Sequence, residues 1–234
     1  MKPVSAIGWV ALTLSLLPVP ANAGLGSNEL FAALSQATNS LVTFQGFITP
    51  ANHELLGFST VGEASTATNA DPLLIYTIPL NRLMAPPPTN DFTYLLQPDP
   101  QTNPAPVTRV IIPVMAGTNV RSAISLRLVP NAQPVRWTNA SWGDPKLIRA
   151  LVGTAQSIPP AELAPGSVPF VVEIPVFDVW LIGYYNSSTP SKLVLVSTAR
   201  MRFGPVSINQ YEVITPAAME QMRIAAQRYN GLPN

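Results

Sequence analysis

The stretch that decides the fold is TRVIIPVMAGTNVRSAISLRLVPNAQPVRWTNASW, residues 108–142. Gly117 and Asn119 mark a turn between two apolar runs, and the second run alternates large apolar residues with small or charged ones, as a half-buried strand does. Pro130 and Asn131 then turn the chain into a third run. Three strands joined in sequence by short turns form a meander, so this region predicts the centre of an antiparallel sheet.

Further β structure is predicted on both sides of the meander. VPFVVEIPVFDVWLIGYYN, residues 168–186, is read as one strand, and KLVLVSTARMRF, residues 192–203, is expected to return antiparallel to it after a turn. Two shorter runs, residues 41–50 and 55–61, are read as another strand pair.

Three helices are predicted. One lies near residues 28–38, where apolar residues recur at helical spacing after a capping Ser or Asn. A second begins at Pro145 after the N-cap Asp144, and a third begins at Pro216 and stops at the Asn-Gly pair 230–231. The chain is therefore expected to be α+β, with antiparallel hairpins and a meander packed against two or three helices.

The N-terminus has the pattern of a secretory signal peptide of bacterial type. Lys2 precedes an uncharged run from Ala6 to Leu17, and Ala21-Asn22-Ala23 forms a small-residue cleavage site before Gly24. The apolar run is too short to span a bilayer. We expect export to the periplasm or the extracellular side, no membrane span in the mature chain, and one mature domain, residues 24–234.

An exposed, proline-rich excursion is expected within this domain. Residues 84–106 contain seven prolines, which favour extended polyproline-type backbone and cannot donate to a β ladder. The flanking sequence reads as continuous sheet, so we place no domain boundary there.

Charge and composition exclude several functions. Without Lys2 the 13 basic residues become 12, equal to the 12 acidic residues, so the mature chain lacks the positive field that nucleic acid or an anionic membrane would need. The chain has no Cys, which removes disulfides and thiolate chemistry. Neither a Walker sequence nor G-x-G-x-x-G occurs, and no cofactor is expected.

Catalytic patterns are incomplete. His53 is the only histidine, and position 57, where a zincin helix needs a second one, is Gly57. Around Ser59 the nucleophile-elbow motif fails because Gly62 comes one residue late. No metal site is predicted.

The carboxylates Glu173 and Asp178 are the strongest catalytic candidates. Residues five apart on a regular strand point to opposite faces, so they would cooperate only if a bulge at Pro175 changed the alternation. A carboxylate-dependent hydrolase that uses Glu173 with Asp178 or Asp144 therefore remains an alternative function.

The candidate binding residues are four arginines at outward strand positions and two aromatic residues: Arg121, Arg127, Arg200, Arg202, Trp180 and Tyr184. If their strands were neighbours, the arginines would form a basic surface for carboxylate or phosphate groups; otherwise they form a solvated outer face. The aromatic residues either belong to an exposed contact patch or fill the core.

The leading functional hypothesis is an exported, non-catalytic module that binds a protein or a cell-envelope component through its sheet face or the proline-rich excursion. Besides the hydrolase, small-ligand binding in a pocket between helix and sheet is an alternative, with Trp180 and Met222 as candidate lining residues.

Overall fold

The computed structural model describes residues 25, 27–86, 92–96, 107–188 and 192–230. The helices are α1 (Ser27–Phe47), α2 (Val61–Ser65), α3 (Leu80–Met84), α4 (Pro145–Ser157) and α5 (Pro216–Asn230). Short 3-10 turns lie at Phe92–Leu96, Pro160–Glu162 and Pro175–Phe177. The strands are β1 (Thr68–Asn69), β2 (Leu73–Thr77), β3 (Val107–Ala116), β4 (Asn119–Leu128), β5 (Trp137–Trp142), β6 (Phe170–Ile174), β7 (Val179–Tyr185), β8 (Leu193–Ser197), β9 (Met201–Phe203) and β10 (Val206–Ile208).

One sheet of eight strands organises the chain, in the order β5-β4-β3-β2-β6-β7-β8, with β1 also paired to β3. Its pairs are antiparallel except β2 with β6, which is parallel and joins the meander to the second group of strands. Strands β9 and β10 form a separate two-stranded ribbon. The architecture is α+β, with a sheet that is larger and more mixed than hairpins packed against two or three helices.

The two faces of the sheet belong to different hydrophobic clusters. Val110, Ile112 and Val114 of β3 point into the cluster that contains residues of α1, α3 and α5. Ile111, between them in sequence, points to the other face, where it joins the cluster of Ile148 and other α4 residues. Because side chains alternate along a strand, the central strands are apolar on both sides.

Helix α1 is longer than the sequence indicated, and the expected strand pair 41–50 and 55–61 is wrong. The buried residues of the helix, Ala33, Ala37, Leu41 and Phe44, keep a spacing of three or four up to its end, so core contact extends the helix through its β-branched residues. Residues 50–57 are turns, and α2 begins at Val61.

The stretch 168–186 is two strands. Pro175 opens a 3-10 turn, and Asp178 adopts a left-handed conformation with φ 51°, so the chain reverses and β7 returns along β6 with Glu173 opposite Trp180. β8 then pairs antiparallel with β7, as expected, but it leaves the sheet after Ser197. Glu173 and Asp178 therefore do not share one regular strand, and strand alternation does not set their relative directions.

Other expectations are confirmed. The meander forms as predicted, α4 begins at Pro145 with the Asp144 carboxylate accepting from the Leu147 N–H at 3.1 Å, and α5 begins at Pro216. The predicted signal peptide and most of the proline-rich excursion lie outside the described residues. Within the excursion, Phe92–Leu96 is a largely buried 3-10 turn, so the expectation of an exposed excursion is wrong for these residues, whose apolar side chains join the core. None of the helices in the described ranges combines the length and apolarity required to cross a membrane.

The two edges of the sheet differ. The outer edge of β8 is covered by residues 211–214: the Tyr211 N–H donates to the Ser197 carbonyl at 2.8 Å, and the Ile214 N–H donates to the Leu195 carbonyl at 2.8 Å. At the opposite edge, β5 pairs with β4 alone among the strands that the structure describes.

Candidate functional site

A polar cluster occupies the α4 side of the sheet beyond the apolar residues that α4 buries. The Arg109 guanidinium donates from Nη1 to Glu173 Oε2 at 2.6 Å, and the Thr77 hydroxyl donates to the same oxygen at 3.2 Å. The guanidinium carbon of Arg109 also lies 5.8 Å from the centre of a Trp180 ring. Three strands of the sheet core thus supply the charged pair and its hydrogen-bonding hydroxyl.

This geometry gives Glu173 a structural role. Its residue is only 9% exposed, and a half-buried cation neutralises its carboxylate. Asp178 is exposed at the β6–β7 turn, where its Oδ1 accepts from the Trp180 indole at 3.3 Å. Glu173 thus accepts hydrogen bonds from Arg109 and Thr77, whereas Asp178 accepts one from Trp180. Of the donors that the structure describes, the two carboxylates share none. Among the described residues, no three His, Cys, Asp or Glu side chains are grouped to hold a metal.

The four predicted arginines do not form one surface. Arg121 pairs with Glu63, with Nη2 2.6 Å from Oε1, and Arg127 is exposed on β4 opposite Arg109. Arg200 lies after the end of β8, and Arg202 lies in the separate ribbon, so neither is next to β4. A binding role for each arginine stays a prediction.

The Arg121–Glu63 salt bridge lies near the start of β4, where further hydrogen bonds surround it. The Ser59 backbone N–H, followed by the Arg121 guanidinium, holds the pKa of Glu63 below its usual value. Arg149 lies nearby and donates to the backbone carbonyls of Val120 and Gly57, each at 3.2 Å. Arg121 and Arg149 line a shallow depression of about 400 Å³, but both guanidiniums already bind groups of this chain.

The two aromatic candidates differ in exposure. Trp180 is half-buried, whereas Tyr184 is 2% exposed and its hydroxyl donates to Glu162 Oε2 at 2.9 Å. Burial and then this hydrogen bond raise the pKa of Tyr184 to about 12. Tyr184 therefore belongs to the core on the α4 side. Met222 belongs to the cluster on the opposite face from Trp180, so the two do not line a common pocket.

Exposed large apolar side chains gather on α1 and next to it. Phe31 is 75% exposed and Val42 is 68% exposed, and their spacing places both on the side of the helix away from its buried stripe; Leu34, 36% exposed, lies at the border of that stripe. We call these three residues the α1 surface. It has little charge nearby, since Glu29 is the only charged residue among the 21 of the helix.

The sequence contained a signal for this surface. Positions 31, 34, 38 and 42 keep helical spacing and include three large apolar residues. Because residues 41–50 were predicted to form a strand, the helical pattern was ended before Val42. A second exposed aromatic group lies at the end of α1, where the Phe47 ring packs against Trp142 of β5 with centroids 5.5 Å apart.

Comparison with protein-family models, with curated proteins and with solved structures found no match. Function is therefore argued from the side chains of this chain.

Proposed function

We propose that this chain is an exported, non-catalytic module that binds a protein partner through the α1 surface. The observation that carries the proposal is the exposure of Phe31 and Val42 along one side of a helix whose opposite side is buried in the core. Single exposed apolar residues are ordinary, but a group of them on one element is typical of a contact site.

The chemistry of the α1 surface indicates an apolar partner. Covering a side chain such as Phe or Val contributes about 1.5–3 kcal/mol when it is fully buried. The exposed residues between the apolar ones, Ser35 and Thr38, are neutral, so a highly charged polymer would gain little there. An apolar segment of another protein fits this surface better than a polyanion does.

Export is supported by the sequence from Lys2 to Ala23. The proposed location is the periplasmic or extracellular side of a bacterial envelope. The test is to isolate the processed chain from cell fractions and determine its N-terminus, which we expect to be Gly24. A chain that keeps Met1 and stays in the cytoplasm contradicts this part of the proposal.

A hydrolase has less support from the same geometry. Glu173 is held by Arg109, Asp178 binds the Trp180 indole, and Asp144 caps α4, so each candidate carboxylate already has a hydrogen-bonding role in the fold. These hydrogen bonds support structural roles for the three carboxylates over paired acid and base work.

The binding test compares two double variants in cross-linking and affinity capture from the native envelope. F31S/V42S removes the two most exposed residues of the α1 surface, whereas V168S/Y229S removes apolar groups that are 65% and 52% exposed elsewhere. We expect the parent and V168S/Y229S to enrich the same protein, and F31S/V42S to recover at least about tenfold less, which corresponds to 1.4 kcal/mol.

Equal recovery by F31S/V42S would remove the α1 surface from the proposal. Binding of the parent chain to vesicles of envelope lipid, with no protein enriched, would also contradict it, because the apolar residues would then contact a membrane.

A further inference from the structure

The unpaired edge of β5 is a second surface, separate from the α1 surface. An edge strand presents backbone N–H and C=O groups that can pair with another strand. Residues 211–214 cover this kind of group at β8, but no segment within the described ranges covers it at β5.

Hydrogen bonds at both ends of β5 show which residues direct their backbone outward. The Arg136 carbonyl accepts from the Val129 N–H at 2.8 Å, and the Gly143 N–H donates to the Ala123 carbonyl at 3.0 Å. The backbone hydrogen-bonding groups of residues 136 and 143 therefore point toward β4. Because successive residues of an antiparallel strand alternate in direction, the backbone groups of Trp137 and Trp142 point away from β4.

The composition of β5 does not protect this edge. Natural edges are commonly blocked by Lys or Pro, but β5 reads WTNASW and contains neither. A register shift opposite Ser125 and Leu126 makes the middle of β5 irregular, which leaves its two ends as the regular pairing positions. At one of these ends, Trp142 is 37% exposed and its neighbour Phe47 is 55% exposed.

We propose that β5 pairs with β5 of a second copy of this chain, antiparallel and about a two-fold axis, with Trp137 opposite Trp142 of the second copy. This register matches the two outward-directed residues with each other. An antiparallel hydrogen-bonded pair exchanges two bonds, and the symmetry repeats it, so about four backbone hydrogen bonds form.

Charge favours the antiparallel arrangement. Arg136 precedes the strand and Asp144 follows it by two residues, and both are exposed. Antiparallel pairing brings Arg136 of each copy close to Asp144 of the other, whereas parallel pairing would place like charges together. The same strand is thus complementary to itself in one orientation only.

The size of the contact sets its strength. A six-residue strand with one aromatic group at each end buries less than a standard stable interface. We therefore expect a reversible dimer with a dissociation constant on the order of 100 μM.

The test uses charge pairs on the exposed side of β5. In the proposed register Thr138 faces Ser141 of the second copy, and both side chains are exposed on the face opposite α1. The variants T138K/S141K and T138E/S141E each place like charges opposite one another twice. S207K/A217K adds the same charge at exposed positions of β10 and α5 and serves as the control.

Sedimentation equilibrium of the chain as isolated from its host is the measurement. We expect the parent and S207K/A217K to dimerise, each charged β5 variant to be at least about tenfold weaker, and an equimolar mixture of the two to form a heterodimer. Monomers throughout the range to about 1 mM for the parent, which is about ten times the expected constant, would overturn the proposal, and so would a mixture that stays monomeric.

Amide hydrogen exchange separates this contact from dimerisation elsewhere. Exchange at Trp137 and Trp142 should slow as protein concentration rises, whereas Thr138 and Ser141, already directed at β4, should not change. F31S/V42S should dimerise like the parent, because the α1 surface is not involved. Loss of dimerisation in F31S/V42S, or protection confined to α1, would overturn the assignment to β5.

Discussion

The two faces of the large sheet are built differently. On the side of α1, α3 and α5 the strands present a continuous apolar surface, whereas on the other side α4 and the residues just after it are what covers the sheet within the described part of the chain. A helix of 13 residues is about 20 Å long, but seven strands side by side span about 29 Å. The part of this face beyond α4 therefore carries the polar cluster of Arg109, Thr77 and Glu173. Hydrogen bonds and charge, as well as burial, stabilise this part of the sheet.

The largest expected effect comes from a substitution in the apolar face on the α1 side. Leu126 is fully buried on the α1 side, so Leu126→Ala should lower the free energy of unfolding by about 2–5 kcal/mol through lost burial and the cavity left behind. Urea denaturation followed by circular dichroism measures this. Leu55→Ala, at a position 79% exposed, is the control and should change stability by less than about 0.5 kcal/mol. A small loss for Leu126→Ala would contradict the division between the faces.

A somewhat smaller loss is expected on the polar part of the other face. Glu173→Ala leaves the half-buried Arg109 without its partner, and we expect a loss of about 2–3 kcal/mol. Replacing both residues, as in R109M/E173A, should recover part of it, because no charge is then left unpaired. Equal losses in the single and double variants would show that the pair is not the source of the stability.

The next effect tests the α4 side of the sheet by pH. Burial and Glu162 raise the pKa of Tyr184 to about 12, so the folded state holds this proton more tightly than the unfolded chain does. The contribution is complete below the ordinary pKa of about 10 and is lost as pH rises through 12. Tyr76, on the other face, also has a raised pKa, mainly through burial.

Tyr184→Phe should therefore lower stability at pH 7 by about 1 kcal/mol and make the decline between pH 10 and 12 shallower, with the remainder due to Tyr76 and Tyr94, whose pKa values burial also raises. Thermal unfolding at a series of pH values measures both. An unchanged alkaline decline in Tyr184→Phe would contradict the raised pKa of Tyr184.

The smallest effect concerns a predicted binding residue. Arg127 is exposed and forms no salt bridge among the described residues, so Arg127→Gln should change stability by less than about 0.5 kcal/mol. Thermal unfolding again measures it. A loss above about 1 kcal/mol would mean that Arg127 belongs to the polar cluster of Arg109 and Glu173.

Local patterns predicted the parts of the fold that local physics controls. The turn at Gly117, the cap at Asp144 and the apolar stripe of α4 involve neighbouring residues, and the structure has them where the sequence placed them. The extent of α1 was missed because Val42 and Thr43 favour strands, and only core contact by Phe44 and Ile48 overrides that preference.

The site was less predictable because its contacts cross the sheet. Arg109 and Glu173 are 64 residues apart and meet only because β2 pairs in parallel with β6. No residue spacing in the sequence indicates that β2 and β6 pair in parallel. The arginine surface was conditional on β4 and the strand of Arg202 being neighbours, and that condition is not met, because β9 pairs with β10 in a separate ribbon.

The segment 211–214 on β8 limits how far copies of this chain can assemble. A protein with both sheet margins available would add molecules at each end and grow into fibres. Here residues 211–214 occupy one margin with the chain's own backbone, so the proposed association through the other margin closes at two. Without that cover the backbone groups of β8 would be open to pairing as well, and assembly would continue at both ends.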